Sequence, residues 1–327
     1  MPISNGPQRG AGTLACRAET RLGARGSTRQ ASRRVSTLVA VLALLASALP
    51  ASDLRTLATL DGASGYETEV LEHVRRVTGG RQEVDNTGSL TVTYGSGRPH
   101  TLLIAGLDEP GYVVSGITED GYLRVQRLGA SPPHHNFEDF FLAQPVRVST
   151  AAGKKLNAVV AALSVHLQTE RASTPRVDHP EQFYVDIGAR SRREVLDAGA
   201  DLLDPVTLEK AATELGGGGR ISAPWISGRA GAAVLLGLAR RMVAAVPSGT
   251  VTLAFVSQEY NGNRGLARIA ERVEADRVVW LKPGGGSKPA VAPVADGKPE
   301  VADAVAALAS RRKLDLDRET AERLAVP

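Results

Sequence analysis

The sequence predicts an α/β protein: a mixed sheet flanked by helices, with a β-rich segment inserted into it. Three observations carry this. Apolar runs of strand length ("HTLLIAG", "GTVTLAFV", "RVVWLKP") share the chain with stretches of helical apolar spacing ("YETEVLEHVRRV", "RAGAAVLLGLARRMVAA"). Between residues 113 and 206 this pattern gives way to short β-like pieces separated by turns. Finally, 327 residues with 43% apolar and 23% charged content suffice for two cores. The expected division is residues 1–52, an arm with a signal or anchor segment; 53–112 and 207–327, the α/β unit; and 113–206, the β-rich insertion.

The arm explains the basic balance. Residues 1–36 hold seven Arg and one Glu, leaving 32 basic and 34 acidic side chains in the remainder. The net charge of +4 therefore marks the arm and not a nucleic-acid-binding face, and 4% aromatic content offers no stacking platform. Rich in Arg, Gly, Ser and Thr, these residues are expected to be disordered. "ASRRVSTLVAVLALLASALPAS" (31–52) then has the layout of a secretory signal: a basic pair, an apolar run at 37–49, and Ala46-Ser47-Ala48 as a cleavage site. Arg33-Arg34 after Ser32 is similar to a twin-arginine signal. The run falls short of the roughly 20 residues of a membrane span. The expectation is export, periplasmic or extracellular, with membrane anchoring only through 37–49 if uncleaved. The competing readings are an uncleaved anchor or a start codon placed too early. Cys16, the single cysteine, lies in the arm, so the body has no disulfide, Cys-based zinc site or Cys nucleophile.

In chain order, "DLRTLATL" and "YETEVLEHVRRV" read as helices around the turn "DGASG", with Ser64 as N-cap. "SLTVTYG" alternates like a strand entered through "DNTG". The insertion supplies "YLRVQRL", "PVRVST", "NAVVAALSV" and "QFYVDIG" as strands, then a short helix with Ser191 and Glu194 spaced as a capping box. After 221 follow helix, buried strand, helix, strand and a last helix, "PEVADAVAALASRR".

Active sites of open α/β sheets lie at the carboxyl ends of the strands. Three such ends carry candidates: Gly106–Glu109, Gln258–Tyr260 and Lys282–Pro283. Other features read more simply. "GGGG" (216–219) and "GGG" (284–286) match no phosphate-loop pattern and read as turns. His134-His135 is taken as part of a solvated loop rather than a metal pair, and His166 as a half-buried strand residue. No G-x-S-x-G elbow supports serine hydrolysis.

Several segments together resemble the M42 family of metallo-aminopeptidases. They are "LDGASGYETEV", "LLIAGLDEPGYVVSGITEDGYLRVQRLG", "FYVDIGARSRREVLDAGADLLDPV", "RAGAAVLL" and "SQEYNGNRGLARIA", in order over about residues 53–310. The resemblance implies an aminopeptidase-like α/β core with a PDZ-like insertion, two divalent metals (zinc or cobalt), removal of N-terminal residues from peptides, and homo-oligomers. It also implies a C-terminal segment bearing a late His, so the fold is expected to be incomplete at its C-terminus.

Carried over position by position, the ligand set fails. The His of the first motif falls on Gly106, the bridging Asp on Ser227, a metal-binding Glu on Tyr260 and a strand-end Asp on Lys282. Asp108 and the general-base position Glu259 remain. Gly106 offers no donor, Ser227 a neutral oxygen, Tyr260 a phenol with an ordinary pKa near 10, and Lys282 a cation. Without a Lewis acid, the pKa of water stays near 15.7 rather than about 7. The expectation is therefore a relative with no metal cofactor and no catalysis, an exported scaffold or peptide binder. Asp108 and Glu259 would be catalytic remnants held in a structural network, with Lys282 pairing with one of them. The alternative is a working aminopeptidase with two divalent metals. Arg229 and Arg264 either bind a carboxylate or brace the fold.

Overall fold

The computed structural model describes residues 13–19, 51–129, 137–162, 180–216, 220–284, 290–293, 302–303, 306–307, 310 and 317–318. The expected signal at 31–52 lies almost wholly outside them, as do His134, His135 and His166, and the last expected helix lies mostly outside. Among the described residues no helix is long and apolar enough to cross a membrane.

The first described strand is β1 (Thr13–Glu19). Helices α1 (Ala51–Thr59) and α2 (Thr68–Val77) precede β2 (Arg81–Val84), β3 (Leu90–Ser96) and β4 (His100–Gly106). The chain then enters β5 (Tyr112–Ile117), β6 (Leu123–Arg127), β7 (Pro145–Ser149), β8 (Lys155–Ala162) and β9 (Phe183–Asp186). Helix α3 (Arg192–Ala198) and β10 (Pro205–Leu208) complete this part. A hairpin, β11 (Thr213–Leu215) and β12 (Arg220–Ser222), leads to α4 (Ile226–Ala244). Strand β13 (Gly249–Val256), helix α5 (Arg264–Arg272) and strands β14 (Arg277–Gly284), β15 (Ala290–Pro293) and β16 (Asp317–Arg318) follow.

The main sheet has the order β16-β15-β1-β14-β4-β13-β3-β2. Its centre, β14, β4 and β13, is parallel, whereas β3 and β1 run antiparallel to their inner neighbours. Strand alternation divides the central side chains between two cores. Leu103, Ala105, Leu253, Phe255, Val279 and Leu281 pack on one face with α1, α2 and α4. Ile104, Ala254, Val256 and Trp280 pack on the other with Leu266 and Ile269 of α5. Both faces are covered, which is why these strands read as unbroken apolar runs.

The insertion closes into a six-stranded barrel in the order β10-β5-β6-β9-β8-β7. Its core is Tyr112, Phe141 and Phe183 in edge-to-face contact, ringed by inward Val and Leu side chains. Charged contacts join it to the α/β unit. Asp61 meets Arg147 at 3.2 Å, Lys155 at 2.9 Å and the Thr207 hydroxyl at 3.3 Å.

Two expectations are corrected. Disorder across residues 1–36 does not hold at Thr13–Glu19, which pair antiparallel with β14 and parallel with β15. An open strand edge offers unpaired N–H and C=O groups to any extended segment within reach, whatever its composition. Ser64 does not cap α2: the N-cap is Glu67, and Ser64 is buried beside the β4 end. The Ser191 cap of α3 forms as expected, accepting from the Glu194 N–H at 3.2 Å, while Glu194 accepts from the Arg190 N–H at 2.8 Å.

Helix α5 sits hard against the end of β13. A Cβ on Gly265 would overlap the Ser257 carbonyl and come within 2.9 Å of Val256. Gly265→Ala is expected to cost about 1–3 kcal/mol in urea denaturation, because the carbonyl it strikes is backbone and cannot turn away.

Candidate functional site

The site lies where β4 and β13 end and α4 begins. Strand β4 stops at Gly106, and the next residues turn Asp108 and Glu109 inward, leaving 3% and 1% of their surface exposed. Backbone pairing holds them: the Glu109 N–H donates to Gly62 O at 3.0 Å, and the Ser64 N–H donates to Glu109 O at 3.1 Å. The loop before α2 is thus zipped onto the β4 exit.

Glu109 is the centre of a buried charge cluster. Lys210, just past β10, forms an ion pair with its Oε2, and Arg229 of α4 approaches the same oxygen at 3.7 Å. The Gly62 N–H donates to its Oε1 at 3.1 Å. Burial lowers the Lys210 pKa, and the Glu109 charge works against that. A Cβ at Gly62 would sit 2.6 Å from the Arg229 guanidinium, so glycine is what lets the loop lie on it. Arg229 is buried beside Glu109 and Gly62 with its Nη1 and Nη2 lacking hydrogen-bond partners among the described residues, while Arg264 is exposed at the start of α5.

Residues 257–263 form the opposite wall. Gln258 and Asn263 both take left-handed backbone angles, at φ 58° and 54°. Two carboxylates offset that strain. Glu67 accepts the Gln258 N–H at 2.8 Å, and Asp108 Oδ2 accepts the Tyr260 N–H at 2.8 Å. Glu67 is also buried and takes the Gly65 N–H at 2.9 Å. The carboxyl of Asp108 is pushed up to about 7, first by burial and then by the Glu67 and Glu259 charges, against the Tyr260 N–H and Ser64. Burial likewise raises Glu67. Its other oxygen apart, Asp108 Oδ1 has no hydrogen-bond partner among the described residues.

Glu259 leans over Gly106. A Cβ on Gly106 would overlap Glu259 Oε2 and lie 3.8 Å from Asp108 Oδ1. The other oxygen, Oε1, is 3.2 Å from Lys282 Nζ, and that ammonium rests 3.9 Å above the Trp280 ring. Of the two partners foreseen for Lys282, the structure selects Glu259. Strand alternation puts Gly106 two residues beyond Ile104 and Lys282 two beyond Trp280, on the same sheet face. Tyr260 leaves 40% of its surface exposed, yet burial and the nearby Glu259, Asp108 and Glu109 charges raise its pKa. Ser227 is half-buried in the first turn of α4.

Five of the six sequence-derived site residues (Gly106, Asp108, Glu259, Tyr260, Lys282) thus converge, with Ser227 on the adjoining helix turn. Sequence reasoning missed Glu67 and Lys210, and reached Glu109 only as the last residue of the Gly106–Glu109 strand end. Glu67 stood in the quoted motif "LDGASGYETEV"; Lys210 carried no signal. Among the described residues, no group of three or more His, Cys, Asp or Glu side chains is arranged to hold a metal. Beside the site, Gly62, Ala63, Gly65 and Tyr66 line a cleft of about 790 Å³ whose far wall is Thr150, Lys155 and Leu203 of the insertion.

The Asp108 shift has a sign that can be measured. Its pKa rises from 3.8 to about 7 on folding, so the folded chain holds this proton more tightly than the unfolded chain. The resulting stabilisation is full below about pH 4, declines by about 1.4 kcal/mol per unit between the two values, and is lost above about pH 7. Asp108→Asn, neutral throughout, is expected to gain stability over the parent at about pH 8 and little at about pH 4 in urea titrations.

The M42 glutamyl aminopeptidase family model matches residues 88–283. The chain is 30% identical over 162 residues to the glutamyl aminopeptidase of Lactococcus lactis subsp. cremoris, covering 47% of this chain and 44% of that protein. It is 28% identical over 142 residues to the lysyl aminopeptidase of Pyrococcus furiosus, covering 42% and 39%. The chain thus spans less than half the length of these curated relatives. Among solved structures, the TET aminopeptidase from Thaumarchaeota archaeon SCGC AB-539-E09 superposes with a TM-score of 0.67 at 24% identity, covering 84% of this chain and 82% of that one. The Pyrococcus horikoshii TET1 peptidase gives 0.67 at 23%, covering 83% and 84%. Both show the fold, and the family model spans more than half of the sequence: the chain belongs to the M42 glutamyl aminopeptidase family.

Proposed function

We infer that this chain is a metal-free, non-catalytic member of its family, an exported scaffold or peptide binder. The observation that carries the reading is the occupant of the space above Gly106. Where the family resemblance implies a histidine ligand there is no side chain, and the Glu259 carboxylate fills the volume, paired to Lys282.

The remaining donors do not fit a two-metal centre. Such a centre needs several anionic or imidazole ligands to offset dehydration of the ions. Ser227 supplies a neutral oxygen, Tyr260 a phenol whose pKa is raised by burial and then by its carboxylate neighbours, and Lys282 a charge of the wrong sign. What the residues do support is recognition: a peptide-sized cleft of about 790 Å³ beside buried carboxylates. The barrel is read as the counterpart of the PDZ-like domain of the resemblance, and export as the role of the arm. The Pyrococcus horikoshii TET1 peptidase can assemble into a tetrahedron or a large octahedral shell, and a homo-oligomer is proposed for this chain on that likeness.

A second reading, a metal-dependent aminopeptidase acting on peptide N-termini, is favoured by the retention of Asp108 and Glu259 at the β4 and β13 ends. Metal analysis of the purified chain, together with hydrolysis of aminoacyl nitroanilides in added zinc or cobalt, decides between them. The expected outcome is metal far below stoichiometric and no chelator-sensitive hydrolysis. Two tightly held metals per chain with chelator-sensitive turnover would overturn the metal-free reading.

A further inference from the structure

We propose that Lys282 is a resident cation of the pocket: it holds the Glu259 carboxylate over Gly106 and thereby keeps divalent metal away from the carboxylates that remain. This rests on the metal-free reading and goes beyond it, because it assigns the exclusion to one side chain rather than to missing ligands alone.

The geometry is an interlock of four residues. Lys282 Nζ stands 3.2 Å from Glu259 Oε1 and 3.9 Å from the centre of the Trp280 ring, so the ammonium is held between a carboxylate and an aromatic face. Trp280 is itself 5% exposed, packed in the core under α5, and cannot move aside cheaply. Glu259 Oε2 occupies the volume of any side chain at position 106, so only glycine there lets the carboxylate reach its partner in this pose. Asp108 Oδ1, on a residue 3% exposed and without a hydrogen-bond partner among the described residues, lies 3.8 Å from the same point. Two carboxylate oxygens from different strand ends thus face one spot, and the ammonium sits on the second oxygen of Glu259.

Converging carboxylates raise one another's pKa unless a cation joins them. An ammonium fixed to the neighbouring strand pays no association cost, whereas a free dication does. To enter, the dication must displace Lys282 and then bear its repulsion at close range in a partly desolvated site. Removing the charge while keeping the aliphatic length should therefore open the carboxylates to a hard cation that prefers oxygen donors.

The test is manganese binding by the full chain, followed by calorimetry and by metal retained after desalting. The chain itself and Lys282→Arg are expected to take up no manganese, and Lys282→Met to bind it at least about tenfold more tightly than the parent. Lys282→Met as indifferent as the parent, or Lys282→Arg gaining the same affinity as Lys282→Met, would overturn the role of Lys282 while leaving the metal-free reading standing. Stoichiometric metal in the parent would instead overturn that reading. The interlock has a separate readout that survives misfolding of Lys282→Met. Gly106→Ala is expected to lower the Tm by several degrees in the parent and to leave it unchanged in a Glu259→Ala background. Equal losses in both backgrounds would show that Glu259 does not occupy the space above Gly106.

Discussion

The buried Glu109 carboxylate, with Lys210 and Arg229 gathered on it, is the interaction on which the rest of the arrangement depends. A charge taken out of water costs several kcal/mol unless it is paired, so Glu109 and Lys210 each require the other, while Arg229 adds a longer contact at 3.7 Å with its Nη1 and Nη2 lacking hydrogen-bond partners among the described residues. The three side chains come from the exit of β4, the exit of the barrel and the first turn of α4. Satisfying them brings together segments more than 100 residues apart in sequence. The Glu109 backbone does the same for the loop before α2, through its bonds to Gly62 and Ser64. Once these four segments are registered, the positions of Gly106, Asp108 and Ser227 follow from the strand and the helix.

Around that cluster the strands that carry the site rest on packing that the site residues do not enter. The strands that carry the site are held by two apolar cores, one on each face of the sheet, and neither core includes Gly106, Ser227, Tyr260 or Lys282. Substitution at strand ends therefore leaves the scaffold untouched. The carboxylates at these strand ends make contacts within the fold. Glu67 and Asp108 bind backbone N–H groups of a strained loop, and Glu259 forms an ion pair. A carboxylate can serve either role; the difference lies in whether its partner is a fixed protein group or an exchangeable ligand.

Much of the fold was legible because it follows from local pattern. The apolar runs at 100–106, 249–256 and 277–281 mark strands covered on both faces, and the alternation in "YLRVQRL" and "PVRVST" marks barrel strands with one face inside. The site was legible in part, since Asp108 and Glu259 stand where such strands end. Glu109 closes the same strand end without an assigned role, because nothing in "LDEP" tells which acid turns toward a lysine 101 residues later. Ser64 has the sequence of a cap and serves as a neighbour of Asp108, because the loop is drawn to the β4 exit before it can start a helix. The arm shows the reverse error: its composition suits disorder, but the open edge of β14 recruits Thr13–Glu19 into the sheet.

By itself, then, the sequence determined most of the helices and strands of the body and which side chains stand at the ends of β4 and β13 and late in β14. All of these depend on residues near one another in the chain, through periodicity and turn chemistry. Tertiary structure alone decided which of those side chains face each other: that Lys282 meets Glu259 and not Asp108, that the carboxylate lies in the space left by Gly106, and that Lys210 and Arg229 share Glu109. Charges buried in a low-dielectric interior must find partners in three dimensions, and sequence distance carries no information about which partner is within reach.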